Sequence, residues 1–162
     1  MIDIGTPIIV TGVRDEVTAA PRGYYVRSAA VPIPQGITAT AFAVADLSTG
    51  DVLLEEQGNV VLPIASISKL FTALTALDHL DHYKELSISE SAVDTEGVCG
   101  DLRVGDTLEV EELVFPLLLE SSNDAAMVFA EYTGEQRFIN LMNAKFASIG
   151  LKQTTFDDAS GL

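Results

Sequence analysis

Residues 62–73 read LPIASISKLFTA, and they predict an amphipathic helix that runs from Ser66 to about Leu80. The helix would begin at Ser66, directly after a proline-containing segment, where backbone N–H groups and the helix dipole favour negative charge. Its apolar residues recur at the i, i+3, i+4, i+7 spacing of one helix face, and they are Ile67, Leu70, Phe71, Leu74 and Leu77.

Ser66 and Lys69 form an S-x-x-K pattern, which places a hydroxyl and an amine on the same side of that helix. A serine hydroxyl is unreactive at neutral pH without a base, and a lysine becomes a base only when burial or another cation lowers its pKa. We expect the apolar neighbours Ile67 and Leu70 to supply that burial. The structural alternative is an ordinary helix cap beside a lysine that extends along the surface.

Ser121, Ser122 and Asn123 form an S-x-N pattern between two further predicted helices. The first covers residues 110–119, and the second covers residues 124 to about 132. A third helix runs from residue 135 to residue 149, and Gly150 is expected to end it in a left-handed C-cap. Serine and asparagine also favour turns between helices, so the S-x-N pattern alone does not establish a site.

Residues 38–47 read TATAFAVADL, and their alternation predicts a strand. Residues 48–51 supply a turn with Gly50 at a left-handed position, and residues 52–55 return as the second strand of a hairpin. The preceding residues 1–37 hold four of the six prolines, which predicts an extended lead-in. We therefore divide the chain into this lead-in and one domain over residues 38–162.

The composition of the 162-residue chain, 48% hydrophobic and 20% charged, fits a globular domain with a buried core. Its net charge of −15 argues against nucleic acid as a partner, because a polyphosphate would be repelled. No apolar run reaches the ~20 residues needed to cross a bilayer. The N-terminal residues lack the basic and apolar regions of a signal peptide, so we expect none in this chain. The single cysteine, Cys99, has no partner for an internal disulfide.

Together with their surroundings, the two patterns resemble those of low-molecular-mass serine D-alanyl-D-alanine carboxypeptidases, which are penicillin-binding proteins. Residues 62–73 are similar to the nucleophile helix of that family, and residues 117–126 are similar to its second motif. Residues 138–143, 150–151 and 156–162 resemble the segments that follow. The resemblance implies an α/β fold of the β-lactamase and DD-peptidase type, in which helices flank an antiparallel sheet in three layers.

The resemblance also implies a role for each residue of the two motifs. Ser66 would attack the carbonyl between two D-alanines of a peptidoglycan stem peptide, and Lys69 would take its proton. Ser121 would relay a proton to the departing D-alanine, and Asn123 would bind the substrate amide and help to hold Lys69. The backbone N–H of Ser66 would form half of an oxyanion hole. β-Lactam antibiotics would be covalent inhibitors, and no cofactor or metal is implied.

The third motif of that family, K-T-G or a close variant, does not occur in the chain. We therefore expect the chain to be truncated before the later strands, and to have negligible carboxypeptidase activity alone. Smaller departures are Glu109, where the family has a Ser or Thr helix cap, and Asp157-Asp158-Ala159 before the Ser160-Gly161-Leu162 segment.

Three alternative functions stay open at this point. A class A β-lactamase would need a glutamate in an E-x-x-x-N segment near residues 156–162, which contain none. A transpeptidase or endopeptidase of the same fold is harder to separate, and a non-catalytic peptidoglycan-binding relative is favoured only by the absent third motif. His79 and His82 lie three residues apart beside Asp78 and Asp81, which is a spacing that metal sites use. A solvated helix end, where histidine suits the helix dipole, is the favoured interpretation of these residues.

Because peptidoglycan lies outside the cytoplasmic membrane, we expect an extracytoplasmic location, with membrane association only through segments absent here.

Overall fold

The computed structural model describes residues 36–97 and 100–162. The predictions made for the lead-in up to residue 35 and for Cys99 lie outside these residues. The chain divides into two compact units, Met1–Val60 and Val61–Leu162. The boundary predicted between residues 37 and 38 stays a prediction.

The described part of the first unit contains the predicted hairpin. Strand β1 (Phe42–Ala45) pairs antiparallel with strand β2 (Val52–Glu56), with Phe42 opposite Glu56. Gly50 has a φ of +79°, as the predicted turn requires. The first strand is shorter than predicted, because Gln57 has a φ of +52° and ends β2 directly after Glu56. Residues 38–41 are therefore left without partners on β2.

The second unit contains the helices. Helix α1 spans Ser68–His79, strand β3 spans Glu85–Ser87, and helix α2 spans Glu90–Val93. Strand β4 spans Thr107–Glu109, and helices α3, α4 and α5 span Val110–Leu119, Asn123–Thr133 and Glu135–Ser148. The bounds of α3 are those predicted, and α4 and α5 agree with prediction to within one residue at each end. No helix among the described residues is long and apolar enough to span a membrane.

The start of the nucleophile segment differs from the predicted helix start at Ser66. Residues Ala65–Ile67 form a single 3₁₀ turn, and the α-helix begins at Ser68. The turn is tight because the Ile67 N–H donates to the Ile64 carbonyl, three residues back, at 3.1 Å. Ala65, directly before Ser66, has a φ of +46°, which is unusual for a residue other than glycine.

The buried side of α1 also differs from the predicted apolar stripe. Ile67, Leu70 and Leu74 are about half exposed, at 57%, 52% and 47%. The buried residues of the helix are mostly small, and they are Ser68, Lys69, Thr72, Ala73, Thr75 and Ala76. Small side chains allow the close packing of α1 against α3, α4 and α5 that the structure shows.

Strands β3 and β4 and the short helix α2 were not predicted. The strands pair antiparallel, with Glu85 opposite Glu109 and Ser87 opposite Thr107. Strand β4 leads directly into α3, where the Glu109 N–H donates to the carboxylate of Glu112 at 2.9 Å. A capping box between Glu109 and Glu112 thus stabilises this helix start without the Ser or Thr that the resemblance led us to expect.

Three aromatic residues that pack together hold the segment after α5 on the helices. The rings of Phe71 and Phe146 meet edge to face, with centroids 4.1 Å apart, and Phe156 lies 5.3 Å and 5.2 Å from them. The Asn143 side chain pairs with the Phe156 backbone in both directions, at 2.9 Å each. Gly150, with a φ of +96°, ends α5 in the predicted C-cap, since the Leu151 N–H reaches back to the Phe146 carbonyl. These contacts fix where residues 156–162 meet α1.

Candidate active site

Ser66 and Lys69 lie within hydrogen-bond distance, as their spacing predicts. The Nζ atom of Lys69 is 3.0 Å from the Oγ atom of Ser66. Ser66 is exposed, whereas Lys69 is only 2% exposed. The hydroxyl therefore faces solvent while the amine that could take its proton is buried.

Burial lowers the pKa of the Lys69 amine below its usual value of 10.5, and the carboxylate of Asp158 partly opposes this effect. Ile67 and Leu70, which were predicted to supply this burial, are themselves 57% and 52% exposed. Successive helix residues point about 100° apart, and the side chain of Leu70 consequently faces another direction. Lys69 instead meets the Ser160 carbonyl, to which its Nζ donates at 2.9 Å.

The segment that carries Ser160 is shaped by Asp158. The Oδ1 atom of Asp158 accepts hydrogen bonds from the Ser160 N–H at 2.6 Å, the Ser160 hydroxyl at 2.8 Å and the Gly161 N–H at 2.5 Å. Gly161 has a φ of +83°, and a Cβ atom there would overlap the Ala65 carbonyl oxygen and the Ser68 hydroxyl. The segment thus packs against the turn that contains Ser66.

The S-x-N pattern forms the turn between α3 and α4, both of which pack against α1. Ser121 has a φ of +59°, and this left-handed residue reverses the chain after α3. The Ser122 N–H donates to the Pro116 carbonyl at 3.0 Å. The Ser122 hydroxyl accepts from the Ala125 N–H at 3.1 Å, so that Ser122 is the N-cap of α4.

Asn123 is held by the segment around residue 97 and is 5% exposed. Its Nδ2 atom donates to the Glu96 carbonyl at 2.6 Å, and a Cβ on Gly97 would lie 2.5 Å from that nitrogen. Asn123 was expected to help to hold Lys69, but it forms no hydrogen bond with it. Within the described chain, Lys69 forms hydrogen bonds only with Ser66 and Ser160.

Comparison with known proteins identifies the family to which these motifs belong. The family described as D-alanyl-D-alanine carboxypeptidase matches residues 27–162. The chain belongs to this peptidase family. The chain is 32% identical to a D-alanyl-D-alanine endopeptidase of Pseudomonas aeruginosa, over all of its own length and 52% of the relative's. It is 38% identical to a D-alanyl-D-alanine carboxypeptidase of Mycobacterium tuberculosis, over 82% of the chain and 45% of the relative.

Solved structures show the same relationship in three dimensions. The crystal structure of a D-alanyl-D-alanine carboxypeptidase from Mycobacterium tuberculosis superposes with a TM-score of 0.79 at 36% identity, covering 86% of this chain and 53% of that one. A carboxypeptidase from Francisella tularensis gives a TM-score of 0.74 at 31% identity, over 88% of this chain and 35% of that one. The predicted fold class, the DD-peptidase type of α/β fold, is confirmed. The chain spans about half the length of the curated relatives named above.

Within this member of the carboxypeptidase family, Asp124 is a charged group that sequence analysis missed. It is completely buried at the start of α4, and neither carboxylate oxygen has a hydrogen-bond partner among the described residues. Burial raises the pKa of this carboxyl above its usual value, and the adjacent backbone N–H of Asp124 itself partly offsets the rise. Asp124 follows the S-x-N motif directly.

His82 and Asp78, two of the four residues considered for a metal site, have other contacts. The Nε2 atom of His82 lies 2.8 Å from the Leu77 carbonyl, and Asp78 forms a salt bridge with Lys145. Across residues 36–97 and 100–162 no group of three His, Cys, Asp or Glu side chains is arranged to hold a metal ion.

The structure thus joins Ser66 and Lys69 directly and places Ser121 and Asn123 on a turn between helices that contact α1. Sequence analysis missed Asp158, Ser160 and Asn123's contact with Glu96. An aspartate two residues before Ser-Gly is a sign of a side-chain-capped turn, and this signal was present at Asp158. The catalytic roles of Ser66, Lys69, Ser121 and Asn123 remain predictions.

Proposed function

We propose that the protein is a serine-type D-alanyl-D-alanine carboxypeptidase that trims peptidoglycan stem peptides through an acyl-enzyme on Ser66. The observation that carries this proposal is the 3.0 Å contact between an exposed serine hydroxyl and a buried lysine amine. Burial favours the neutral amine, and a neutral amine can accept a proton. Membership of the carboxypeptidase family supplies the reaction class.

In the proposed acylation, Ser66 Oγ attacks the carbonyl carbon between the two D-alanines as its proton passes to Lys69 Nζ. The Ser66 N–H stabilises the oxyanion that develops. The bond to the last D-alanine then breaks, and Ser121 relays the proton from Lys69 to the leaving amine, which returns Lys69 to its neutral form. Asn123 binds an amide of the substrate through its side-chain carbonyl. Attack by water on the ester releases the shortened peptide and returns the proton to Ser66.

The same reaction defines the proposed partners and location. The substrate is a stem peptide ending in D-Ala-D-Ala, and a β-lactam would acylate Ser66 because its strained amide takes the place of the D-Ala-D-Ala bond. Since peptidoglycan lies outside the cytoplasmic membrane, we place the activity in the cell envelope.

Endopeptidase activity is a second candidate, because relatives from Pseudomonas aeruginosa and Escherichia coli are named D-alanyl-D-alanine endopeptidases. The chemistry at Ser66 would be the same, but the bond cleaved would lie in a cross-link between two stem peptides. The two functions differ in the group on the leaving side of the bond, which Ser121 would face.

The test measures D-alanine release from a synthetic pentapeptide and cleavage of a cross-linked peptide dimer by the intact protein. Ser66→Ala should abolish release, and Lys69→Ala should slow it by about 10²- to 10⁴-fold through loss of the base. Ser68→Ala is the matched control, because this buried serine lies in the same motif and its hydroxyl has no hydrogen-bond partner among the described residues. Release that persists in Ser66→Ala would refute the nucleophile, and cleavage of the dimer alone would favour the endopeptidase.

A further inference from the structure

We propose that Asp158 is a positioning residue for Lys69. Asp158 orients two backbone carbonyls, those of residues 159 and 160, towards α1. The inference rests on the proposed function, in which Lys69 is the base. It concerns a residue outside both sequence motifs, and the link to Lys69 runs through the backbone.

Several hydrogen-bond donors converge on one oxygen of Asp158. Asp158 Oδ1 accepts from the N–H groups of Ser160 and Gly161 at 2.6 Å and 2.5 Å, and from the Ser160 hydroxyl at 2.8 Å. The Leu162 N–H lies further away, at 3.4 Å. Charge-assisted hydrogen bonds of this kind are stronger than neutral ones. They hold the chain after Asp158 in a tight turn around its carboxylate.

The direction of the Ser160 carbonyl follows from the planarity of the peptide bond. In a trans peptide the N–H and the carbonyl of the same plane point in opposite directions, and the described chain has no cis peptide bond. When the Gly161 N–H points at Asp158, the Ser160 carbonyl must point away from it. That carbonyl accepts from Lys69 Nζ at 2.9 Å. Asp158 thereby sets the direction of an acceptor that holds the proposed base.

The neighbouring peptide plane obeys the same rule. Its N–H, on Ser160, points at Asp158, and its carbonyl, on Ala159, accepts from the Thr72 hydroxyl at 2.5 Å. Thr72 lies three residues after Lys69 on the same face of α1. Two successive peptide planes are therefore oriented by one carboxylate, and both carbonyls contact the buried face of the helix that carries Lys69.

The charge of Asp158 acts on the same lysine. Burial by itself would raise the pKa of the Asp158 carboxyl, but hydrogen bonds from Ser160, Gly161 and Leu162 outweigh burial and lower it. The group is thus ionised at neutral pH. Among the described residues, Asp158 is the one charged group that shifts the pKa of Lys69, and it raises that pKa against the effect of burial.

The experiment compares three variants of the intact protein in acylation by a fluorescent penicillin, with the second-order rate constant measured from pH 5 to pH 10. Asp158→Ala removes the acceptor and the charge, Asp158→Asn keeps an oxygen acceptor without the charge, and Asp157→Ala removes the exposed neighbouring carboxylate as a control. Circular dichroism and thermal unfolding establish that each variant is folded. Labelling of the wild type that disappears in Ser66→Ala tests the proposed function separately.

We expect Asp158→Ala to lower the plateau rate roughly 10- to 100-fold through misplacement of the base. Asp158→Asn should stay within about threefold of wild type at the plateau, because its side-chain oxygen can accept the same backbone bonds. In both, the rising limb of the pH profile should move to lower pH, because loss of a negative charge disfavours the Lys69 ammonium. Asp157→Ala should match wild type in both respects.

The inference is overturned if Asp158→Ala acylates at the wild-type rate, or if it is slower with an unmoved pH limb, which would indicate a merely structural role. It is also overturned if Asp158→Asn is as slow as Asp158→Ala. Should Asp158→Ala fail to fold, Asp158→Asn decides: a retained plateau with a shifted limb supports the inference, and any other profile contradicts it.

Discussion

Gly161→Ala should destabilise the protein markedly more than Gly150→Ala, although both glycines have positive φ angles. Gly150 has a φ of +96° and nothing within 4 Å of the position that a Cβ would take. Gly161 has a φ of +83°, and its Cβ would overlap the backbone of Ala65 and the hydroxyl of Ser68. The pair therefore separates backbone strain from steric overlap.

The magnitudes follow from these two contributions. A side chain in the left-handed region lowers the free energy of unfolding by about 1–2 kcal/mol. Replacing glycine by alanine also restricts the unfolded chain, which raises the free energy of unfolding by about 0.4–1 kcal/mol. Gly150→Ala should therefore cost about 1 kcal/mol. Overpacking adds about 1–3 kcal/mol at residue 161. One of the two overlapped atoms, the Ala65 carbonyl oxygen, belongs to the backbone and cannot rotate away. Gly161→Ala should consequently cost about 3 kcal/mol.

Urea unfolding of the intact protein, followed by circular dichroism, gives both free-energy differences. The overlap lies beside Ser66, so acylation of Gly161→Ala by penicillin should also slow, while Gly150→Ala should acylate as wild type does. Equal losses of stability in the two variants would refute the packing of residues 158–162 against the Ser66 turn.

The other predictions concern α4 and Lys69. Asp124→Asn should raise the free energy of unfolding at pH 7 by about 1 kcal/mol, because it removes a buried charge whose oxygens have no hydrogen-bond partner in the described part of the chain. The gain should fade as the pH falls and Asp124 takes up its proton, and a loss of stability at pH 7 would contradict it. Ser122→Ala should cost about 0.5–2 kcal/mol in urea unfolding through loss of the α4 N-cap, whereas the exposed Ser148→Ala should change little; equal effects would refute the cap. The acylation rate should rise with pH through a limb below the usual lysine value of 10.5, since burial lowers the pKa of Lys69; a limb at or above that value would contradict a buried base.

The parts of the fold that were predictable are those with a local signal. Helix α3 was predicted to the residue because its apolar residues recur at helical spacing and Ser121 and Asn123 follow it. The Ser66–Lys69 pair was predictable for the same reason, since residues three apart on a helix are neighbours. Strands β3 and β4 have three residues each and lie about 20 positions apart, so no period in either could reveal the pairing.

The parts that were not predictable depend on contacts distant in sequence. The Ser160 carbonyl that holds Lys69 is 91 positions away from it. In α1 the apolar residues Leu70 and Leu74 are about half exposed, and the helix buries Lys69, Thr72 and Ala73, because tertiary packing selects the side with small residues. Periodicity identifies the existence of a helix more reliably than the face that its neighbours cover.

The most direct test of the central claim is peptide mass spectrometry of the intact protein after treatment with penicillin. Opening of the β-lactam ring by a serine hydroxyl adds the whole mass of one penicillin to that residue. We predict that fragmentation places this mass on Ser66, the exposed hydroxyl that is bonded to Lys69, and that Ser66→Ala remains unmodified. An adduct on Ser68 or Ser121, or an adduct that persists in Ser66→Ala, would contradict the assignment of Ser66 as the nucleophile.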